Sequence, residues 1–477
     1  MSKRINERAE GVRGIAVFLL FLIDYFLTCF WIFFFQNNGF LNVPLNNRGI
    51  FVVVFIYCIL LFFLMNYLES FRIGQRRILD LGFGFFSSSL GVNFIFWLVQ
   101  IFVFREKASH SFLFCLLMLV LECLIGLCWI MLCHRRYEKV HFRKEAIFIY
   151  GNRENENEIQ INKTIKRYFK ISQMVHFERG LDQIIYMIPP DSVVFIGDVP
   201  GEIRNPILKY CMSKNIQCFS VPKIADIYLQ NAEVMQLHDK LLFQYPRLEI
   251  TGGKRFVKRS MDVIGSCIML GVFGIPMLIF AAKIHGEDGG PVFFYQDRIT
   301  IGGCPFQMVK FRSMRENAEA DGARLASTHD DRITKIGKKL RNTHMDELPQ
   351  LLNVLRGEMS LVGPRPERQD FADYYGERIP EFSDRLKVKA GLTGYAQIYG
   401  KYNTAAEDKI KYDLYYIYNH SIKLDIKILI LTVRILFQKE NTAGIPDGEI
   451  YAIRGEKERE DTAVMHDQER AVTACEK

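Results

Sequence analysis

Apolar positions are unevenly distributed along the chain, and their spacing divides it before any motif is considered. Over the first 133 positions they run in near-continuous blocks, residues 14–35, 50–68, 81–104 and 112–133, each near the roughly 20 residues that carry a helix across a bilayer. The pattern predicts four spanning helices within residues 1–140. The first block follows Lys3, Arg4, Arg8 and Arg13, but its apolar region is too long for a signal peptide and no small-residue cleavage site follows, so it is expected to be retained. Asp24 and Glu122 interrupt the blocks. A carboxylate at membrane depth is a functional hypothesis by default; bundle packing or dimer contacts are the roles expected for these two.

From about residue 143 to 250 the pattern changes to short β-rich runs, 146–150, 192–196 and 217–221, separated by helical stretches such as 206–213. This alternation predicts a doubly wound, Rossmann-like α/β domain. Gly151-Asn152-Arg153-Glu154-Asn155 after the first strand supplies a single glycine, not G-x-G-x-x-G, so a regulatory or dimerising module is expected rather than a nucleotide site. A fifth apolar run, 260–283, has the hydrophobicity of a spanning helix, yet basic residues flank both ends: Lys254, Arg255, Lys258 and Arg259 before it, Lys283 after it. Pro276, close after Gly271 and Gly274, leaves about 16 residues before the break, roughly 24 Å of helix, short of a hydrocarbon core of about 30 Å. The run is expected to enter the membrane and return. Residues 291–296 and 306–310 read as strands, residues 424–436 as either a core helix or an amphipathic helix lying on the membrane surface, the surface being favoured, and the tail from 446 to 477 as charged and disordered.

The net charge of +8 and pI near 8.8 suit either nucleic acid or an anionic membrane. Arginine and lysine cluster beside the apolar spans, which favours membrane topology, with both ends of the four-helix region inside. Of eleven cysteines, seven lie in apolar segments and no C-x-x-C occurs, so neither a disulfide framework nor a zinc site is expected and the soluble parts should face a reducing cytosol.

Candidate chemistry concentrates in residues 338–366, KKLRNTHMDELPQLLNVLRGEMSLVGPRP. Thr343 and Asp346 have the spacing of a capping box, predicting a helix that continues through Glu347, Leu348, Leu351, Leu352, Val354 and Leu355. On such a helix Asp346 and Glu347 would point about 100° apart and take different roles. Lys338 and Arg341 precede the acids; Arg356 and Arg365, the latter between Pro364 and Pro366, follow them. Lys310 and Arg312 share one face of the expected strand, and with Arg341 and Arg365 they form a candidate cradle for a diphosphate. There is no G-x-x-x-x-G-K-[ST], H-E-x-x-H or D-x-D, which argues against a P-loop enzyme, a zincin and the usual metal clamp of nucleotide-sugar glycosyltransferases.

Met345-Asp346-Glu347-Leu348-Pro349-Gln350 and Ser360-Leu361-Val362-Gly363-Pro364-Arg365-Pro366, with Lys310-Phe311-Arg312-Ser313-Met314 upstream and Gly391-Leu392-Thr393-Gly394-Tyr395-Ala396-Gln397 downstream, resemble the bacterial sugar transferases, the polyprenyl-phosphate hexose-1-phosphate transferases of capsule, exopolysaccharide and O-antigen assembly. The resemblance covers about residues 258–441. It departs from the family pattern at Ala390, where proline is usual, and at Tyr395, where tryptophan is usual. It implies the family's long form: a transmembrane region (1–140), a Rossmann-like cytosolic domain (141–250), and a monotopic catalytic domain (251–445) whose re-entrant helix, 258–283, bends at Pro276. It further implies that Asp346 is the nucleophile toward a UDP-hexose, that undecaprenyl phosphate is the acceptor, and that UMP leaves. Glu347 is expected to hold the metal or orient the nucleophile. Mg²⁺ binds through one or two carboxylates plus substrate phosphates, which suits Asp346 with Glu347. Galactose and glucose are equally open as the hexose, a homodimer is left open, and nucleic acid is not expected. The rival class is a non-enzymatic membrane scaffold or regulator of polysaccharide assembly.

Overall fold

The computed structural model describes residues 2–37, 47–72, 78–102, 108–140, 144–151, 169–245, 252–315, 332–400, 404 and 406–436; the tail expected at 446–477 lies outside them. The chain separates into two compact units, Met1–Val221 and Pro222–Lys477.

In the first unit, helices α1 (Ser2–Asn37), α2 (Asn47–Tyr67), α3 (Ile78–Phe102) and α4 (Ala108–Val140) each contain a stretch long and apolar enough to cross a membrane, matching the four blocks of the sequence. Phenylalanines such as Phe18, Phe55, Phe94 and Phe112 face outward, as expected for helices solvated by lipid. The inward residues include polar ones. Glu122 accepts hydrogen bonds from Tyr57 Oη and from Asn93 Nδ2 (2.9 Å), and Asn93 Nδ2 also lies 2.9 Å from Ser89 O.

Four strands follow, β1 (Lys144–Tyr150), β2 (Phe169–His176), β3 (Val193–Ile196) and β4 (Gln217–Ser220). They form one parallel sheet in the order β2-β1-β3-β4. Helices α5 (Leu181–Tyr186) and α6 (Gly201–Ser213) supply Ile184, Ile207 and Cys211 to a core with Ile147, Ile149, Val194 and Ile196. The three expected strands are β1, β3 and β4. The sequence pattern missed β2, an edge strand whose Lys170, Gln173 and other solvent-facing positions dilute its apolar signal.

The second unit begins earlier than the expected boundary at 250. Helix α7 (Ile224–Leu229) buries Ile227 in this unit's core; nearby, Tyr228 Oη donates to Asp384 Oδ2 (3.1 Å) and Asn231 Nδ2 to Tyr418 O (2.5 Å). A hairpin, β5 (Glu233–Leu237) and β6 (Lys240–Gln244), precedes the long helix α8 (Gly252–Asp288). A second antiparallel hairpin, β7 (Phe293–Ile299) and β8 (Pro305–Phe311), follows. Then come α9 (Lys335–Thr343), α10 (Gln350–Arg356), β9 (Ser360–Val362), α11 (Gln369–Arg378), β10 (Gly391–Thr393), α12 (Tyr395–Tyr399), α13 (Ala406–Tyr418) and α14 (Ile422–Leu436). Strands β9 and β10 pair in parallel. The core gathers Met308, Leu351, Val354, Leu361, Leu414 and Tyr416. Helix α14 adds Ile428 and Leu431 to it and buries Asp425. It is therefore docked into the core rather than lying free on a surface, with Ile426 and Val433 left exposed on its other side.

Helix α8 runs through Pro276 without interruption, so the expected break is not a break in secondary structure. An interior proline removes one backbone hydrogen bond and leaves its neighbours free to stay helical. Near its start, Asp262 Oδ1 accepts from Ser360 Oγ and Leu361 N (both 3.0 Å), and Lys258 Nζ bridges Asp425 (2.8 Å) and Val362 O (3.1 Å). Toward its end, Met277, Phe280, Ala281 and Ile284 pack against Phe311 and Leu340. Both flanks of α8 thus hold the same α/β fold. A stripe of Ile264, Ile268, Val272, Ile275, Leu278 and Ile279 stays exposed between them.

Candidate active site

The acidic pair is placed by a helix stop. Thr334 Oγ1 accepts from Gly337 N (2.9 Å) and starts α9, which ends at His344 in the left-handed conformation (φ 54°, ψ 18°). Thr343 Oγ1 donates back to Lys339 O (3.0 Å) and Leu340 O (3.1 Å). Thr343 is the last residue of α9, and His344 rather than Thr343 precedes the next turn, so the expected capping box with Asp346 does not form. Met345–Glu347 is a single 3-10 turn, and α10 starts only at Gln350 and stops at Gly357 (φ 89°). The two acids therefore sit in a tight connection between helices, where neither has an i+4 neighbour to fix it.

The surroundings of α10 hold that connection still. Asn353, fully buried, accepts from Val309 N (3.0 Å) and donates to Gln307 O (2.7 Å) and Glu358 Oε2 (2.6 Å), tying α10 to β8. Arg259 donates to Val354 O (2.5 Å) and Leu355 O (2.6 Å), and Lys389 Nζ to Gly357 O (2.6 Å), satisfying the orphan carbonyls of a helix end with cations that its dipole favours.

Glu347 is the hub. Its Oε1 lies 3.2 Å from Lys310 Nζ and 2.8 Å from Arg365 Nη2. Burial alone would raise its pKa, but the charges of Arg365 and Lys310 outweigh burial and hold the carboxyl well below the usual range. Asp346 moves the other way: burial first, then repulsion from Glu347, raise it against the pull of Lys310 and Arg341. Among the described residues Asp346 has no hydrogen bond or ion pair. The connection thus holds one carboxylate locked between cations and a second that is unpaired. The Arg365 side chain is 46% exposed against 16% for Glu347, so its guanidinium keeps donors free for a second anion.

Of the candidate residues, the fold joins Lys310, Glu347 and Arg365 in direct contact and brings Asp346 and Arg341 within electrostatic reach. Arg312 is not joined. It lies one residue beyond β8, is buried, and donates to Asp288 at the end of α8, while its backbone N–H bonds to Val292 O (2.9 Å). Shared strand parity with Lys310 was insufficient because the strand ends between them. Lys338 and Arg356 point to solvent.

Two arginines that the motifs did not single out hold the arginine loop. Arg298 Nη1 donates to Pro366 O (3.1 Å); Arg385 Nη2 donates to Arg365 O (3.0 Å), while its Nε bonds to Asp413 Oδ2 (2.8 Å). Gly363 and Gly391 let β9 and β10 approach there: a Cβ on Gly363 would stand 2.3 Å from Lys389 O, and one on Gly391 2.1 Å from Gly363 N. At Ala390, where a proline has no N–H to offer, the amide donates to Thr300 Oγ1 (3.1 Å). Tyr395 fills the neighbouring space against Tyr399 and Tyr415, ring centroids 4.4 and 4.8 Å away.

This geometry coincides with the region of known likeness. Residues 253–439 match the model of the bacterial sugar transferase family. The UDP-N-acetylgalactosamine-undecaprenyl-phosphate N-acetylgalactosaminephosphotransferase of Aeromonas hydrophila is 37% identical over 242 residues, 50% of this chain and 56% of that protein. UDP-glucose:undecaprenyl-phosphate glucose-1-phosphate transferases of Caulobacter vibrioides and Klebsiella pneumoniae are each 41% identical, over 39% and 55% of this chain and 71% and 57% of their own lengths. The chain spans little more than half of the Aeromonas and Klebsiella relatives. The match to the Caulobacter protein covers most of that protein's length, and the chain belongs to the bacterial sugar transferase family.

Proposed function

We propose that the chain transfers a sugar 1-phosphate from a UDP-hexose to undecaprenyl phosphate through an aspartyl-phosphosugar intermediate. The observation that carries this reading is the unequal pair: Glu347 fixed by Lys310 and Arg365 beside an unpaired Asp346. An Asp346 oxygen attacks the β-phosphorus, the bond from that phosphorus to the bridging oxygen breaks, and UMP departs with the electron pair. The phosphate oxygen of undecaprenyl phosphate then attacks the same phosphorus and frees Asp346. Burial strengthens Asp346 as a nucleophile once it is ionised, and Arg365 and Arg341 offset the negative charge gathered in each transfer.

Among the described residues no cluster of three or more potential metal-ligating side chains exists. Asp346 and the Glu347 oxygen not taken by Lys310 and Arg365 nevertheless fit Mg²⁺, which asks for only one or two carboxylates when substrate phosphates complete its shell. When bound, Mg²⁺ would neutralise phosphate charge and so ease the approach of a carboxylate.

The exposed stripe of α8 supports a helix in contact with lipid, and its two anchored flanks support entry and exit on one side; the basic residues around the spans support the cytoplasmic side for both. Cysteines introduced at positions 255 and 289 should label from the same side; opposite labelling would refute this. The relatives' donors widen the candidate sugars from glucose and galactose to N-acetylhexosamines. The discriminating experiment incubates the full chain in nanodiscs with undecaprenyl phosphate, Mg²⁺ and a panel of UDP-sugars. Release of UMP with one of them is expected. UDP release would indicate direct glycosyl transfer, and no release with any would favour the scaffold.

A further inference from the structure

Arg312 is a motif cation that the site does not use, and its surroundings give it another task. Its side chain is 7% exposed and donates to Asp288, the last residue of α8, and Gly290 N donates to the same carboxylate oxygen (3.1 Å). A Cβ on Gly290 would overlap the guanidinium, so the chain leaving α8 is folded directly over it. Next to Asp288, Glu287 Oε1 accepts from Lys335 N (3.1 Å) at the start of α9, the end of a helix whose dipole favours an acid. Two adjacent carboxylates at the end of α8 thus hold the chain just beyond β8 and the first residue of α9.

Those two elements build the acidic turn. Strand β8 carries Lys310, two residues before Arg312, and α9 runs into Met345, Asp346 and Glu347. The same end of α8 supplies Met277, Phe280, Ala281 and Ile284 to a small core with Phe311, Leu340 and Met345. Phe311 adjoins Lys310 in the chain and Met345 adjoins Asp346, so the cation and the acid rest on one apolar floor. Among the described residues Asp346 has no hydrogen bond or ion pair of its own. Its place is inherited from its neighbours, and the Arg312–Asp288 pair closes the floor on which they sit. Removing either partner of such a pair leaves the buried guanidinium uncompensated and free to let the junction move.

We propose that Arg312 is a positioning residue: with Asp288 it latches the end of α8 to β8 and so sets where Asp346 stands relative to Lys310, without touching the substrate. This role rests on the transfer reaction proposed above. The test is a double-mutant cycle on the full chain in nanodiscs: Arg312→Gln, Asp288→Asn, the two together, and Asp288→Glu. Each of the first two should lower kcat for UMP release by about 10- to 100-fold, the scale of loss when a supporting group lets reacting atoms drift by about an ångström, with KM for the UDP-sugar unchanged. The double variant should be no slower than the slower single one, as for partners in one contact, and Asp288→Glu, which keeps the carboxylate, should recover most of the rate. Hydrogen exchange reads the latch without turnover. The amides of Glu347 and Leu348, bonded to His344 O and Met345 O (both 3.3 Å), should exchange faster in both single variants, while those of α13, in the unit's other core cluster, stay protected. A raised KM in Arg312→Gln beside a silent Asp288→Asn would put the guanidinium on the substrate and overturn the proposal. So would losses that add in the double variant, or faster exchange in α13 as well, which would mean general destabilisation. If the unmodified chain released no UMP with any donor, the reaction would fall, and unchanged exchange at residues 347 and 348 would still overturn the latch by itself.

Discussion

Two buried groupings of acids in this protein are treated in opposite ways. Between the four N-terminal helices, Glu122 is held by neutral donors, the Tyr57 hydroxyl and the Asn93 amide, with no cation beside it among the described residues. In the second unit, Glu347 is held in direct contact by two cations, while among the described residues its neighbour Asp346 has no direct ion pair and feels Lys310 and Arg341 only at a distance. Neutral partners satisfy a buried carboxyl without creating a field for an anion; cations create that field, and the unpaired acid beside them is positioned to meet whatever anion arrives. Under the proposed function the first arrangement serves packing and the second serves chemistry. Burial, which the two share, does not distinguish them.

The comparison is sharpened by removing one group at a time. Asp346→Asn keeps shape and removes the attacking charge, so turnover should fall by something on the order of 10⁴ to 10⁶, as when a catalytic group is removed from a hydrolase; retained UMP release would end the reading. Arg365→Ala and Arg341→Ala should each lower the rate by about 10² to 10³, roughly 2.7–4 kcal/mol of transition-state stabilisation. Full turnover in either would make that arginine a surface residue.

Lys310→Met tests the electrostatics through pH. Asp346 is already raised above the ordinary carboxylate value, and Lys310 is one of the groups opposing that rise. Removing the cation raises Asp346 further, so at any acidic pH less of it is ionised and the acid limb of the UMP-release profile should move to higher pH. An unmoved limb would mean that another group sets it. The smallest effect is expected from Glu122→Gln, which keeps the hydrogen-bonding shape: turnover should stay within about twofold, with a stability loss of about 1 kcal/mol at most in thermal unfolding, in line with hydrogen bonds between membrane helices. A large loss of turnover there would break the contrast between the two groupings.

Much of this was legible in the residues because it depends on local pattern. The four apolar blocks and strands β1, β3 and β4 follow from spacing, while Lys310, Asp346, Glu347 and Arg365 stood out, with Arg312 and Arg341, through motifs that resemble the family's. What was not legible depends on tertiary competition. Thr343 carries the spacing of a cap but falls inside the preceding helix, which stops only at His344. Arg312 had the parity of Lys310 but met Asp288 first. Helix α14 has an amphipathic face that suits a membrane as well as a core, and it is the burial of Ile428 and Leu431 with Asp425, paired with Lys258 of α8, that settles which. Arg298 and Arg385 act on backbone carbonyls, which leave no sequence pattern. Asn353 did leave one: a single amide inside the apolar run Leu351, Leu352, Val354 and Leu355, polar where the helix is buried, and so in need of partners.

The central claim is that Asp346 carries the phosphosugar. The most direct measurement omits the lipid: full chain, UDP-sugar and Mg²⁺ mixed rapidly, UMP followed in time and the protein digested for mass spectrometry under conditions that spare an acyl phosphate. The account predicts a burst of at most one UMP per site and a phosphosugar on the peptide containing Asp346. The burst should be absent in Asp346→Asn and slowed but present in Glu347→Gln. No UMP before undecaprenyl phosphate is added, with no adduct on that peptide, would contradict it and leave a direct transfer between the two substrates.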